Sequence, residues 1–450
     1  MSFTGRLDGQ SRNKMLKHNI VFSGVLKAIN LCTSFLIVPV TLRFLDKEPY
    51  GIWMTISSMA FWIFTFDIGL GNGMRNYLSA ALSREDYKAG KIYISSTFVM
   101  LSLIALLMAL IALPIILAID FNDLLSTNSI ANKDLQIIIL VALTLTLTNF
   151  IVKNIGFIYV AMQKYAINDL LTMGGNVLSL IIIYLITMTI DGGKKENLLV
   201  VVTVFMSMPI LVFLLGGIPL FIKFPAFRPS LKSIDFNFSK GIIQKGLGFF
   251  IIQITSCLII FGGANIFISH FSGPEAVTTY NIAYKYFNFL VIGYTIIIAP
   301  MWNAYTDAYV KGDWSWIQKT FKKALSIWTG TVGLGIIMLL GCNLFYSVWV
   351  GKSVLIPLSV SAVTLAYISF FNLNSCVTYL LNGLNTIRIQ IYTSVIATII
   401  YLVSIGFGGK FMGIEGIVFS MTACYAAMSL IHLYQCKLII QQKATGIWIK

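Results

Sequence analysis

Charge is scarce in this sequence. Only 11% of its residues are Asp, Glu, Lys or Arg, while 57% are hydrophobic; a soluble domain usually carries about 25% charge. So few charges cannot cover a water-facing surface, so lipid must be the solvent for most of the chain. Acids are scarcer than bases, 17 against 32, leaving a formal net charge of +15. A basic chain can signal nucleic acid, but here the bases lie in short loops between apolar runs. That pattern points to a membrane face, and no nucleic-acid partner is expected. The three histidines, His18, His270 and His432, are far apart. The six cysteines, Cys32, Cys257, Cys342, Cys376, Cys424 and Cys436, form no CxxC pair. Neither residue type suggests a metal, and no cofactor is expected. Large loops are absent too: the longest, near 120–134 and 223–245, leave no room for a soluble catalytic domain, which argues against an enzyme. Gly351-Lys352-Ser353 looks like the end of a phosphate loop, but its first glycine would fall at Tyr346. Gly69-x-Gly71-x-Gly73 lacks the strand–turn–helix setting of a dinucleotide site.

What the chain has in abundance is long apolar runs. A helix crosses the hydrocarbon in about 20 residues, and runs of that size fall at 18–42, 50–71, 92–118, 135–158, 168–190, 197–222, 246–270, 279–302, 321–346, 355–380, 389–408 and 413–436. An open strand edge would leave backbone groups unpaired in lipid, so the runs must be helices. The expected fold class is therefore all-α, a polytopic membrane protein of about twelve spans. The first run is too long for a cleavable signal and lacks a small-residue cleavage site. With the N-terminus in the cytoplasm, 22 of the 32 Lys and Arg fall on the cytoplasmic side. Seven fall outside (Arg43, Lys47, Lys133, Lys194, Lys195, Lys352 and Lys410) and three lie within spans. Both termini are then cytoplasmic, and Lys194–Lys195 is the weakest point of the assignment.

The segment Arg75-Asn76 … Ala81 … Arg84-x-Asp86-Tyr87 returns 227 residues later as Trp302-Asn303 … Ala308 … Lys311-x-Asp313-Trp314. Both copies lie between the second and third spans of a half. The chain divides accordingly into a six-helix bundle over 1–222, a cytoplasmic linker over 223–245 and a second six-helix bundle over 246–450. An even number of spans per half makes this a parallel repeat about the membrane normal.

These segments also carry a resemblance. Phe66-Asp67-Ile68-Gly69-Leu70-Gly71-Asn72-Gly73-Met74-Arg75-Asn76 is similar to the second-helix motif of the polysaccharide and O-antigen flippases, in the multidrug/oligosaccharidyl-lipid/polysaccharide exporter superfamily. Glu48-Pro49-Tyr50-Gly51-Ile52-Trp53 and Ala299-Pro300-Met301-Trp302-Asn303, followed by Lys311-Gly312-Asp313, resemble the same family. The likeness covers essentially the whole chain. It implies a multidrug exporter-like fold, two pseudo-symmetric bundles that alternate access in a bacterial inner membrane. The implied cargo is an undecaprenyl-diphosphate-linked oligosaccharide, an O-antigen or capsule or exopolysaccharide repeat unit, moved from the inner to the outer leaflet. Membrane lipids and the polysaccharide polymerase machinery are the implied partners. Multidrug exporters of this fold tend to carry an acid in the first or seventh helix, and runs 18–42 and 246–270 contain none. The related lipid II flippases usually have two helices more. An ion-coupled exporter of small cations is the alternative reading.

An ionisable group at the bilayer centre costs about 2.5–3.5 kcal/mol on insertion scales, so each marks a candidate site. Three lysines qualify, on polar stripes at helical spacing: Lys27 with Ser23, Asn30, Ser34 and Thr41; Lys153 with Thr146 and Asn149; Lys285 with Asn281, Asn288 and Thr295. Lys27, Lys153 and Lys285, with Arg75, are candidates for a cationic substrate path. Asn30, Asn149, Asn281 and Asn288 would line its polar cavity. The bland alternative is that each lysine snorkels to the interface. Asp67 and Asp307 could carry a coupling ion, or could pair with a nearby base such as Arg75. Gly69 to Gly73 read as a close-packing patch. The topology is testable on intact cells. In a cysteine-free variant, a cysteine at Asn128 should react with an impermeant thiol reagent and one at Ser230 should not. Labelling of 230 without 128 refutes the orientation.

Overall fold

The computed structural model describes residues 9–189, 192–351 and 354–449, and every regular element among them is helical. Side chains of 9–23, 245–249, 256–259, 261 and 303 also lie outside the described set, and with them Ser23, His18, Cys257 and Asn303, as do Lys352 and Ser353. The helices are α1 (Gly9–Leu45), α2 (Lys47–Thr65), α3 (Leu70–Ser83), α4 (Tyr87–Ala118), α5 (Phe121–Leu125), α6 (Asn132–Val152), α7 (Asn154–Ala161), α8 (Tyr165–Thr189) and α9 (Lys194–Lys223). They continue with α10 (Phe236–Ile252), α11 (Ala264–Ser272), α12 (Pro274–Ile298), α13 (Met301–Val310), α14 (Trp314–Trp349), α15 (Leu358–Gly383) and α16 (Arg388–Ile440). Among the described residues, nine helices are long and apolar enough to cross a membrane, and the bent pair α2/α3 makes a tenth.

The count of ten understates the crossings, because α16 is a hairpin. Its 53 residues would extend about 80 Å at 1.5 Å per residue, far beyond a hydrocarbon core of about 30 Å. The chain reverses at Gly413 (φ 56°, ψ −128°). Gly408 then packs backbone to backbone on Gly416, Cys424 Sγ lies 3.4 Å from the Ala397 carbonyl, and Thr393 Oγ1 lies 2.9 Å from His432 Nε2. These pairs form an antiparallel ladder, and glycine at 408 and 416 is what lets the two arms close. The expected run 246–270 is likewise not one α-helix. It passes from α10 through a π-helical stretch, Gln253–Gly262, into α11.

Two further runs are broken where polar groups reach the backbone. The expected run 50–71 bends by 45° between α2 and α3. Ile68 (φ 49°) and Gly69 (φ 81°) are both left-handed there. That region is natural for glycine and unusual for a β-branched residue, so the bend is a built turn. The run 135–158 breaks at Lys153, between α6 and α7, where Asn154 Nδ2 donates to the Phe150 carbonyl at 2.9 Å.

The chain divides into two compact units. The first holds residues 1–49, 59–122 and 128–247, and the second holds 50–58, 123–127 and 248–450. In the first, α1 lies along α8 and α6 along α9, around a core that includes Met74, Leu78, Ile94, Ile158, Phe213 and Phe227. Residues 223–245 form no free tether. Ser95 and Ser96 of α4 accept the backbone N–H groups of Ser230 (3.0 Å) and Asp235 (2.7 Å), and Phe238 stacks on Tyr93 at 4.5 Å. In the second unit, α15 packs on α12, α14 and α16 around Tyr294, Tyr305, Ile317, Leu380 and Cys436. Here Gly51 abuts the Pro274 carbonyl with no room for a Cβ, which gives a physical reason for the glycine in Glu48-Pro49-Tyr50-Gly51. Apolar side chains such as Leu107, Leu110, Leu340 and Phe411 face outward, as lipid-facing surfaces should.

The internal repeat reappears as backbone geometry. After α3, the Asp86 N–H bonds the Ala81 carbonyl (2.9 Å) and the Glu85 N–H bonds Leu82 (3.2 Å). After α13, Asp313 bonds Ala308 (2.9 Å) and Gly312 bonds Tyr309 (3.0 Å). Glu85 and Gly312 are left-handed, so both are Schellman caps. Each is followed by an aspartate that opens the next helix: Asp86 Oδ1 accepts the Ala89 N–H at 2.9 Å, and Asp313 Oδ1 accepts the Trp316 N–H at 3.0 Å. The same cap closes α7 (Lys164 on Tyr159), α15 (Thr386 on Leu381) and α16 (Lys443 on Leu438), each at 2.9 Å. Lys194 Nζ lies 3.1 Å from Glu48 Oε2 and Lys195 Nζ lies 2.9 Å from Asp134 Oδ1, so each lysine of that doublet meets an acid. We expect Asp86→Ala and Asp313→Ala each to destabilise the protein by about 1 kcal/mol, read as a lowered melting temperature in detergent. Equal stability of both variants with the wild type would show that the caps are incidental.

Candidate functional site

In the first unit the bend between α2 and α3 gathers the charged candidates. Asp67 is buried at 9% exposure, and its Oδ1 accepts the Gly71 N–H at 2.9 Å, closing the turn that starts α3. The charge opposite it is Lys153, close enough for the two to interact electrostatically. The Lys153 ammonium sits 4.2 Å above the Phe64 ring and 5.7 Å from Phe150, a cation–π arrangement suited to a poorly hydrated site. Arg75 is not the partner of Asp67: its guanidinium donates to Asn76 Oδ1 at 3.1–3.2 Å. The glycines divide their labour. Gly69 supplies the turn, whereas Gly71 packs against Asn154 and Phe157, and Gly73 against Ile242.

Lys27 is exposed on α1, as is Ser34 along the same stripe. Val25, Ile29 and Leu36, also exposed, lie about 160–200° around the helix from Lys27 at 100° per residue. The helix therefore presents two exposed faces of opposite polarity, one suited to lipid and one to water. Asn30 is committed to α8, where Asn176 Nδ2 donates to its Oδ1 at 2.8 Å. Thr146 faces Met206 Sδ at 3.5 Å, while Asn149 Oδ1 is buried with no hydrogen-bond partner.

In the second unit Lys285 is half-buried on α12. One turn toward the start of α12, Asn281 is buried and donates to Asn265 Oδ1 (2.9 Å) and to the Val277 carbonyl (2.8 Å). Asn265 in turn donates to Ser58 Oγ at 2.6 Å. This polar chain ties the Tyr50–Ser58 segment, α11 and α12 together, so Asn281 joins helices where the sequence suggests a cavity wall. Tyr284 donates to Asn288 Oδ1 at 3.2 Å. Asp307 is exposed and ion-paired with Lys311 one turn on, at 2.7 Å. Asn265, Asn176, Asn154 and Ser58 are absent from the sequence-derived candidates. Their only signal is a polar residue inside an apolar run. Among the described residues no cluster of His, Cys, Asp and Glu could hold a metal ion.

Residues 16–302 match the model of a family described as polysaccharide biosynthesis protein. The chain belongs to this family. It is 21% identical over 393 residues to a Salmonella typhimurium protein named "Putative O-antigen transporter", covering 85% of this chain and 87% of that one. A Salmonella typhi protein of the same name is 22% identical over 286 residues, a match that spans only 61% of that protein's length. A Yersinia pseudotuberculosis protein named "Putative O-antigen export protein" is 20% identical, covering 67% of each chain. Among solved structures, an inward-facing MATE family multidrug resistance transporter of the MOP superfamily superposes with a TM-score of 0.66 at 13% identity, over 94% of this chain and 96% of that one. A MOP superfamily transporter from Pyrococcus furiosus, described as having a binding pocket of reverse polarity, gives 0.57 at 12% identity over 98% of both. This family member thus has the fold of the MOP transporters and is a multi-pass membrane protein.

The Asp67 turn predicts a graded response to substitution. Asn at 67 can still accept the Gly71 N–H, whereas Ala leaves that donor unpaired. We expect Asp67→Ala to be less stable than Asp67→Asn by about 1 kcal/mol in thermal unfolding. Identical melting of the two would show that the carboxylate does not hold the bend.

Proposed function

We propose that the protein is a flippase that moves an undecaprenyl-diphosphate-linked oligosaccharide, an O-antigen or other polysaccharide repeat unit, from the inner to the outer leaflet by alternating access. Its setting is a bacterial inner membrane with both termini cytoplasmic, upstream of the polymerase machinery. Family membership and the names of the Salmonella and Yersinia relatives support the class of cargo. The observation that carries the reading is the character of the membrane-embedded polar groups: lysines at 27, 153 and 285, and no Asp or Glu in 18–42 or 246–270. An exporter of small cations would want the reverse.

A lipid diphosphate must cross a region where bare charge is costly. Fixed ammonium groups offset that cost, and water around them accommodates the sugars. A few separated lysines suit transport better than one closed cage, because too tight a grip would trap the cargo. Lys27 meets this need through its exposure on the polar face of α1, and Lys285 through its place beside the amides of α12. Asp67 and Lys153 are the pair to examine for ion coupling, since their charges already interact across the bend.

The test is glycan export in a strain lacking the chromosomal copy. Lys27→Ala or Lys285→Ala should reduce export at least tenfold with protein levels unchanged, whereas Lys→Arg should retain most of it. A Lys27→Gln, Lys285→Gln double variant with wild-type export would refute the cationic path. Export failure by the null strain complemented with wild type would refute the flippase assignment itself.

A further inference from the structure

The second arm of the bent α2/α3 span carries polar groups that its packing does not use. The buried side of α3 is apolar, formed by Leu70, Gly71, Met74, Leu78, Ala81 and Leu82. Its exposed side holds Asn72, Asn76, Tyr77, Ala80 and Ser83. At 100° per residue Asn72 and Asn76 lie within about 40° of each other, Tyr77 stands about 100° further round, and Ala80 falls between them. Amide groups find no partner in hydrocarbon and are costly there, so this face borders water.

Several of these groups are held in place. Arg75 Nε and Nη2 both donate to Asn76 Oδ1, at 3.2 and 3.1 Å. That contact occupies the guanidinium edge best suited to a bidentate anion. It also orients the Asn76 amide and leaves its Nδ2 donors without an acceptor among the described residues. Tyr77 is 40% exposed, and its ring is braced perpendicular to Phe238 at 5.1 Å and tilted on Tyr93 at 5.6 Å. Asn72 is exposed and hydrogen-bonds no described residue. The fold does not require this array. In the internal repeat, Asn72, Arg75, Tyr77 and Ala80 correspond to Ala299, Trp302, Ala304 and Asp307. Yet α13 ends in the same Schellman cap, and an aspartate likewise opens the helix after it.

We propose that this face of α3 is a saccharide-binding site, where Asn72, Asn76 and Arg75 hydrogen-bond sugar hydroxyls and Tyr77 lies against the C–H face of a sugar ring seated over Ala80. The site rests on the flippase reading and deepens it: the lysines serve the diphosphate, and α3 serves the sugars. A sugar ring offers two chemistries, hydroxyls around its rim and C–H groups on its faces. Primary amides, with two donors and an acceptor each, match the rim. The negative face of a tyrosine ring matches the C–H groups, and the small side chain of Ala80 leaves room between them. A lipid phosphate calls for more cation than one guanidinium already engaged, and an acyl chain calls for no amides.

Binding to the purified full-length protein tests this with two probes. One is undecaprenyl diphosphate; the other is the lipid-linked repeat unit extracted from membranes of a strain lacking the transporter. Wild type should hold the glycosylated lipid more tightly than the sugar-free one, by about tenfold or more. Asn72→Ala should lower that preference about fivefold and Tyr77→Ala about tenfold, each with affinity for undecaprenyl diphosphate unchanged. Tyr77→Phe, which keeps the ring, should retain the preference. Wild-type preference in both Asn72→Ala and Tyr77→Ala would overturn the site and leave α3 with a solvated face only. Equal losses for the two lipids would also overturn it, in favour of an effect on the diphosphate or the fold. Wild type that binds both lipids equally overturns the sugar site alone, whereas wild type that binds neither overturns the cargo reading and the site with it. Should Tyr77→Ala melt early through loss of Phe238 and Tyr93, Asn72→Ala carries the same test.

Discussion

Inside a bilayer every backbone N–H and C=O must find its partner within the chain, and the rest of this structure follows from that requirement. It leaves helices as the spanning elements. It also makes each interruption of a helix a place where some other group must take over the freed hydrogen bonds. The interruptions here are supplied in that way: a carboxylate serves the Gly71 N–H at the α2/α3 bend, an asparagine amide serves the Phe150 carbonyl at the α6/α7 break, and Schellman caps serve the ends of α3, α7, α13, α15 and α16. Such sites collect polar residues in otherwise apolar helices, so the charged pair Asp67 and Lys153 lies beside two of the breaks.

The same requirement explains why polar side chains do two kinds of work. Asn265, Asn281 and Ser58 spend their donors and acceptors on one another and fasten three segments of the second unit. Asn30 and Asn176 fasten two helices of the first. Interhelical bonds of this type contribute about 0.6 kcal/mol on average in membranes, so each is modest and the set matters. Lysines cannot be retired in this way. Each of Lys27, Lys153 and Lys285 must be placed against water, a ring face or an anion, and that need separates them from the asparagines.

Much of this was legible in the sequence, and the limits have physical causes. Apolar runs of spanning length show the number of crossings because hydrophobic length is set by the bilayer, and the Asp86 and Asp313 repeat shows as matching caps because cap chemistry is local. The bends at Ile68–Gly69 and at Lys153 are not visible as breaks in hydropathy, since Asp67, Lys153 and Asn154 are isolated polar positions within runs that stay apolar on average. Sequence proximity offers Arg75 as one nearby base for Asp67, whereas the fold brings Lys153 to it from a different span. The role of Asn281 turned on Asn265, whose proximity depends on how α11 packs against α12. The docking of 223–245 on α4 rests on two serine hydroxyls that no periodicity distinguishes.

That docking has a consequence for biosynthesis. Ser95, Ser96, Tyr93 and Gly73 are all made well before the segment that covers them, residues 230–242, leaves the ribosome. Until then those groups have no cover from the connector, and the Ser95 and Ser96 hydroxyls lack the N–H donors that they later accept. The connector acts as a late-arriving keystone, and the first unit is closed only once most of its own helices have been made.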